Sequence, residues 1–451
     1  MEQFFKLKEN GTNVRTEVVA GLTTFMTMAY ILAVNPNILG AAGMDTGAVF
    51  TATALASALA SFCMAALTNL PFVLSAGMGL NAYFAYTVVL GMGYSWQVAL
   101  AAVFVEGIIF IALTLTNVRE AIFNAIPKTL KIAVSVGIGL FICFIGLQNA
   151  KIVVDSPTLV GLFRFKAALA DGTFSSAGMS ALLALIGTLI TAYLVIKKVK
   201  GNILLGILAT WVLGIICQLA GLYVPNPDKG FFSVIPSALV SMPASVMPTL
   251  FKMDFSAPLL DFIVIVFAFL FVDIFDTLGT LIGCASKADM LDKDGKLPKI
   301  RGALLADSIG TTAGACLGTS TITTFVESSS GIAEGGRTGL TSIVAGVLFL
   351  LALFLSPLFL TIPAFATAPA LIVVGFFMMQ QVAKIDWNDV LIAIPAFICI
   401  TSMVFMYSIS EGIAFGIISY TALHAASGKA REISPLMYIL TVLFVLKYAL
   451  I

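Results

Sequence analysis

The stretch Phe262–Gly283, FIVIVFAFLFVDIFDTLGTLIG, is an apolar run that contains two acids. It is long enough to cross a bilayer as a helix, which takes about 20 residues. Asp273 and Asp276 lie in its middle third, three residues apart, and therefore share one helix face. One acid at the centre of a membrane helix costs about 2.5–3.5 kcal/mol to insert. The pair indicates a polar site for a substrate, an ion or a proton; the alternative is a structural pair that hydrogen-bonds neighbouring helices.

The composition is that of a polytopic membrane protein. Of the 451 residues, 60% are hydrophobic and 10% are charged, whereas a typical soluble domain is about 25% charged. Because a spanning backbone must satisfy its own hydrogen bonds, we expect an all-α fold. The net charge of +1 argues against a nucleic-acid partner. The six cysteines lie in apolar segments without paired spacing, which indicates free thiols and no metal site.

The apolar runs predict fourteen transmembrane segments. Their order divides the chain into a cytoplasmic lead (1–16), a first repeat with segments 1 to 7 (17–222), an extracellular connection (223–257), a second repeat with segments 8 to 14 (258–432) and an apolar tail (433–451). Seven segments per half give the two repeats opposite orientations in the membrane. Most of the 24 Lys and Arg residues then lie on cytoplasmic segments, and both termini are expected inside the cell. The first span is expected to end at Asn35-Pro36.

Two stretches differ from ordinary spans, and they occupy the third place in each half. Leu70–Gly91 contains Pro71 and two glycines in its first half, and Gly318–Leu340 begins with a run rich in hydroxyl and β-branched residues. Each predicts a short extended piece followed by a helix start. Broken helices at matching positions of inverted repeats are typical of a transporter binding site, because their half-helix starts offer free N–H groups near the midplane. The alternative is a pair of glycine-rich packing segments.

Polar residues at these breaks suit a ligand. Asn81 brings an amide, Glu327 brings a carboxylate at a helix start, and Asp273 lies mid-helix, where burial favours the neutral acid. We therefore expect one acid to hold the ligand and another to carry a proton, with Asp273 or Asp276 as the proton carrier. Aromatic rings nearby could stack on a flat ligand: Phe25, Tyr83, Phe84, Phe275 and Phe325.

Three motifs carry a resemblance to a known family. GMGLNAYFA, FVDIFDTLGT and TTFVESSSGIAEGGRTG resemble the adenine/guanine/hypoxanthine permeases, the AzgA-like branch of the nucleobase–cation symporters. The similarity runs over nearly the full length. It implies a core domain (15–116 plus 258–356), a gate domain (117–221 plus 357–451) and proton-coupled purine uptake at the cell membrane, without a cofactor other than the proton.

The resemblance also implies the site. It places Asp273 and Glu327 against the purine and Asn81 near it, with Phe84, Phe275, Phe325 and Ser328 as further substrate-binding candidates and Asp276 in support of the site or of proton coupling. The expected partners are a purine nucleobase and the lipid bilayer, with a homodimer through the gate domains left open. Glu327-Ser328 replaces the QN-type motif of the xanthine and urate branch, and the eighth span has no histidine, unlike the uracil branch.

Other function classes fit less well. An anion transporter of similar architecture would place Asp273, Asp276 and Glu327 around its site without a compensating cation. A channel would need a continuous polar pore, and the other spans are nearly free of charge. A membrane enzyme is not supported, since the chain has no HExxH, Cys/His set or Walker loop.

Overall fold

The computed structural model describes residues 2–116, 126–156, 159–199, 201–287, 290 and 297–450, and these ranges are predominantly helical. The first half contains, in chain order, α1 (Glu2–Phe5), α2 (Val14–Met28), α3 (Ile31–Ala41), α4 (Thr46–Thr68), β1 (Leu74–Ala76), α5 (Met78–Ala82) with a π-helical continuation (Tyr83–Gly91), α6 (Trp96–Leu115), α7 (Lys128–Asn149), the hairpin β2 (Val153–Ser156) and β3 (Leu159–Leu162), α8 (Phe165–Ala170), a π-helical turn (Phe174–Gly178), α9 (Met179–Ile196) and α10 (Asn202–Leu219).

The second half contains α11 (Leu259–Lys287), α12 (Ile300–Leu317), β4 (Ile322–Thr324), α13 (Ser328–Ala333), α14 (Gly339–Ala352), α15 (Ser356–Thr361), α16 (Ala364–Met379), α17 (Val390–Phe405), α18 (Ile409–Ala426) and α19 (Pro435–Leu450). Short 3₁₀ turns lie between some of these helices. In the described part of the chain, eight helical stretches are long and apolar enough to cross a membrane. The expected helical polytopic membrane fold is therefore confirmed, and the six cysteines, all within the described ranges, are free thiols.

The first apolar run breaks at a different place from the one predicted. Helix α2 ends at Met28, and α3 begins at Ile31 and continues through Pro36 to Ala41. The expectation that Asn35-Pro36 ends this span is therefore wrong. Proline removes one helical N–H and usually ends or kinks a helix. Here the turn around it is held by other groups: the Asn37 side-chain amide donates to the Ala33 carbonyl at 2.9 Å.

The two irregular stretches meet each other. Strand β1 pairs antiparallel with β4, in a register that places Leu74 opposite Thr324 and Ala76 opposite Ile322. The pairing continues past both strand ends, because Gly77 donates its N–H to Thr321 O at 3.0 Å and Phe325 donates to Val73 O at 3.0 Å. Extended backbone at membrane depth must have such partners, since lipid offers none. The two predicted extended pieces are thus confirmed.

A buried acid joins the start of the chain to the second half. Glu17, in the first turn of α2, is 0% exposed, and its carboxylate accepts hydrogen bonds from the N–H groups of Arg337 (2.8 Å), Thr338 (3.3 Å) and Thr341 (3.2 Å) and from the Thr341 hydroxyl (2.7 Å). These donors surround the N-terminus of α14, where a negative charge is favourable. The arrangement fixes the junction between α13 and α14.

We expect Glu17→Ala to lower the unfolding free energy by at least about 2 kcal/mol, because it leaves several buried donors without an acceptor. The measurement is the thermal melting temperature of the detergent-purified protein. Glu9→Ala is the control, since Glu9 is a glutamate whose 67% exposed side chain pairs with Lys6 at the surface. Equal melting temperatures for the two variants would contradict a structural role for Glu17.

Candidate functional site at the paired strands

The candidate site is built where α11 passes the paired strands. Helix α11 carries Asp273 and Asp276, and α13 begins directly after Glu327, which is its N-cap residue. The start of α5 lies beside the same strands, because its N-cap residue Gly77 is bonded to Thr321. Acids from the eighth predicted span and the starts of two broken helices therefore lie close together in the structure.

Asp273 is fully buried among the polar residues around the paired strands. Its side chain is 0% exposed, and its Oδ1 accepts a hydrogen bond from the Thr277 hydroxyl at 2.7 Å. The same hydroxyl oxygen lies 3.0 Å from Asp307 Oδ1 and 2.7 Å from the Thr323 hydroxyl. Thr277 has one proton to donate, so Asp273 and Asp307 compete for it. A ligand would have to displace this buried network to reach Asp273 directly.

Asp307 was not among the residues that we singled out from sequence. It lies in α12 and is fully buried. The sequence carries the same signal for Asp307 as for Asp273, because both are acids within a largely apolar helix. Glu106 in α6 is a second such residue: it is 0% exposed, and its Oε2 accepts a hydrogen bond from the Thr321 hydroxyl at 2.7 Å.

Asp276 and Glu327 form the more accessible part of the cluster. Both side chains are half-buried, and the Asp276 carboxylate interacts electrostatically with Asp273 and with Glu327. Glu327 Oε1 accepts a hydrogen bond from the Tyr30 hydroxyl at 2.7 Å. Tyr30, at the break between α2 and α3, is 1% exposed. Two half-buried carboxylates therefore lie beside the paired strands, and the Glu327 carboxylate accepts a hydrogen bond from the Tyr30 phenol.

Asn81 supplies an amide on the α5 side. Its Oδ1 accepts a hydrogen bond from the Ser320 hydroxyl, which joins α5 to the residues leading into β4. Its Nδ2 is buried and has no hydrogen-bond partner among the described residues. A buried donor without a partner costs about 1–3 kcal/mol. The Asn81 amide is therefore a group that a polar ligand could satisfy.

The remaining predicted residues have mixed surroundings. Phe84 is 0% exposed and lies 6.4 Å from the ring of Phe269, and Phe325 is 6% exposed. The side chain of Phe275 lies outside the described part of the structure. Ser328 is fully buried, and its hydroxyl accepts a hydrogen bond from the Val73 N–H at 3.0 Å. Ser328 thus completes the strand pairing at the edge of the site.

We expect Gly77→Ala to lower the melting temperature in detergent, because an added Cβ would lie 2.6 Å from Thr323 Cγ2 and 3.4 Å from Asp276 Oδ2. Overpacking of this kind typically costs about 1–3 kcal/mol. The control is Gly161→Ala in the β2–β3 hairpin, where the nearest atom would be 3.3 Å away. If both variants melt with the wild type, the strands do not pack against α11 as tightly as described.

Comparison with known proteins places this chain in a family. The profile of the permease family Xan_ur_permease matches residues 15–415. The chain belongs to this permease family. It is accordingly a multi-pass membrane transporter and not an enzyme.

Curated relatives within the permease family match over their whole length. The guanine/hypoxanthine permease PbuG of Bacillus subtilis is 44% identical, with 99% of this chain and 99% of that protein covered. The adenine permease AdeP of Escherichia coli is 43% identical, with 100% of this chain and 96% of that protein covered.

A solved structure supports the fold. The transmembrane domain of the cyanobacterial bicarbonate transporter BicA superposes with a TM-score of 0.65 over 90% of this chain and 97% of that domain, at 18% identity. At this identity the likeness concerns the fold alone.

Proposed function

We propose that this permease imports purine nucleobases together with protons by alternating access across the cell membrane. The observation that carries the proposal is the pair of half-buried carboxylates, Asp276 and Glu327, beside paired strands at the starts of two broken helices. The names of relatives with more than 40% identity, adenine permease and guanine/hypoxanthine permease, support the same substrate class.

The donors and acceptors of a purine complement those of the site. Guanine presents N1–H and N2–H side by side, and hypoxanthine presents N1–H next to O6. Glu327 is the proposed acceptor for ring N–H groups, because a carboxylate is the strongest acceptor that a side chain can offer. The unpartnered Asn81 Nδ2 is the proposed donor to a purine oxygen or ring nitrogen. Phe84, Phe275 and Phe325 stay proposed contacts for the flat ring, and Ser328 would support Glu327 from the strand edge.

The proposed architecture has fourteen transmembrane segments in two inverted repeats, with both termini in the cytoplasm. Matching strand-then-helix breaks, β1–α5 and β4–α13, support the repeat. Residues 15–116 and 258–356 would form a core domain that carries the site, and 117–221 and 357–451 a gate domain that could also form a homodimer contact. Residues 117–125, at the start of this gate, lie outside the described ranges.

Proton coupling would use the cluster of acids beside the paired strands. Asp273, Asp276 and Glu327 are close enough to interact electrostatically, and Asp307 reaches the same Thr277 hydroxyl as Asp273. Several negative charges in a low-dielectric interior repel one another, so binding a proton relieves the cluster. Asp273 or Asp276 is the proposed carrier, and the coupling ion is a proton without any cofactor.

Two other substrate classes are alternatives. One is a xanthine- or uracil-type specificity, which would fit the broad family, and the other is an anion transporter of similar architecture. An anion would meet the carboxylates of Asp276 and Glu327 at the site entrance, where like charges repel it.

The proposal is tested with the protein reconstituted in proteoliposomes. We expect labelled hypoxanthine to accumulate when the outside is more acidic than the inside, and unlabelled guanine or adenine to compete with it. Uracil, xanthine and bicarbonate serve as comparison competitors. Uptake that is insensitive to purines, or stronger competition by uracil or xanthine, would refute a purine-specific permease.

A further inference from the structure

Tyr30 lies at the short turn between α2 and α3, within the first membrane-spanning run. Its carbonyl accepts a hydrogen bond from Val34 N at 2.9 Å, and the preceding Ala29 donates to Phe25 O at 2.8 Å. Tyr30 is thus the N-cap residue of α3, two residues after the end of α2. Because the side chain is 1% exposed, the surrounding packing fixes the position of its phenol.

An ionised carboxylate can only accept hydrogen bonds, so the phenol of Tyr30 is the donor to Glu327. The Tyr30 hydroxyl donates to Glu327 Oε1 at 2.7 Å. A phenol has one proton, so this bond uses the only donor that Tyr30 has. Asp276 also acts electrostatically on this phenol, but it can receive no proton from it while Glu327 does.

One oxygen of Glu327 is therefore engaged before any ligand arrives. The other oxygen, Oε2, belongs to a side chain that is half-buried and not fully enclosed. We propose that Tyr30 is a specificity-determining residue that occupies one acceptor position on Glu327 Oε1 and so equalises the binding of guanine and hypoxanthine. This inference rests on the proposed purine transport and adds to it a residue that acts through Glu327.

The two purines differ in the number of N–H donors that they offer to a carboxylate. Guanine offers the N1–H and N2–H pair, which matches both oxygens of a carboxylate in a fork. Hypoxanthine offers N1–H alone on that edge. Each carboxylate oxygen can accept two hydrogen bonds, and the Tyr30 hydroxyl already uses one of the two at Oε1. The extra amine of guanine must share this oxygen with the phenol, so its hydrogen bond contributes little. Without the phenol hydroxyl, Oε1 no longer accepts a competing hydrogen bond from Tyr30, and the extra hydrogen bond to a charged acceptor should favour guanine by about tenfold or more.

The experiment measures equilibrium binding of guanine and hypoxanthine to the detergent-purified full chain. In the wild type we expect the two dissociation constants to agree within about threefold. Tyr30→Phe removes one oxygen atom and keeps the ring, and it should shift their ratio towards guanine by about tenfold. The control is Tyr223→Phe, which removes the hydroxyl of another buried tyrosine; this hydroxyl donates a hydrogen bond to the Phe232 carbonyl at 2.9 Å. In this variant the ratio of the two dissociation constants should stay at the wild-type value.

The outcomes separate the two proposals. Loss of affinity for both purines by the same factor in Tyr30→Phe would make Tyr30 a structural residue and overturn the inference, while purine transport would stand. A wild type that already prefers guanine by tenfold or more would also overturn it, whether or not the variant folds. If the wild type bound neither purine, the proposed function itself would fail.

Discussion

Glu327→Gln is expected to weaken purine binding by at least about tenfold, which corresponds to the roughly 1.5–3 kcal/mol that a hydrogen bond to a charged group contributes. The substitution keeps the size of the side chain but replaces a charged acceptor by a neutral amide. Its effect is enlarged by the position of Glu327, which accepts the Tyr30 hydrogen bond on one oxygen and is half-buried at the start of α13.

Binding of labelled hypoxanthine to the purified variant measures the effect, with monodisperse elution in detergent as the check on folding. Glu432→Gln makes the same chemical change at an exposed position and should bind like the wild type. Wild-type affinity in folded Glu327→Gln would remove this carboxylate from the site.

Asp273→Asn is expected to abolish accumulation driven by a pH gradient while part of the purine exchange persists. Asp273 and Asp307 reach the same Thr277 hydroxyl inside a fully buried cluster, with Asp276 three residues along the helix. An asparagine cannot exchange a proton, so the cluster would lose one of the acids whose mutual repulsion makes proton binding favourable. In proteoliposomes the inside-to-outside ratio of hypoxanthine should fall to about one.

Asp261→Asn is the matched control, because Asp261 lies in the first turn of the same helix, far along the chain from the cluster. It should accumulate purine as the wild type does. Normal accumulation in Asp273→Asn would exclude Asp273 as the coupling acid and leave Asp276, which is half-buried and more accessible, as the candidate. Loss of exchange as well would assign Asp273 to binding.

Most of the fold could be predicted because the membrane imposes it. Apolar runs of helical length predict spans, and the proline, glycine and β-branched residues near 70–79 and 320–325 predict extended backbone. The partner of each strand could not be predicted, since β1 and β4 pair across roughly 250 residues and three-residue strands carry no register signal. The predicted helix end at Pro36 was wrong for a related reason. Local proline chemistry predicts a helix end, but packing and the Asn37 amide keep the helix intact.

The sequence predicts which acids belong to the candidate site, but it does not predict how they are arranged. Asp273, Asp276 and Glu327 stand out because acids are costly in apolar helices. Their different exposure depends on how α11 packs against β4, which no local pattern reports. Tyr30 carries no such signal, because a tyrosine in an apolar run is ordinary until its hydroxyl is seen to meet Glu327.

The pairing of β1 with β4 has a consequence for biosynthesis. The ribosome delivers β1 roughly 250 residues before its partner, a delay on the order of tens of seconds at common elongation rates. During that interval lipid can satisfy none of the N–H and C=O groups that β4 will later engage. The nascent first half must therefore wait in a sheltered environment, such as the translocon or its attendant insertases. A ribosome that stalls before residue 322 leaves a chain with an open strand edge, which quality-control proteases can recognise.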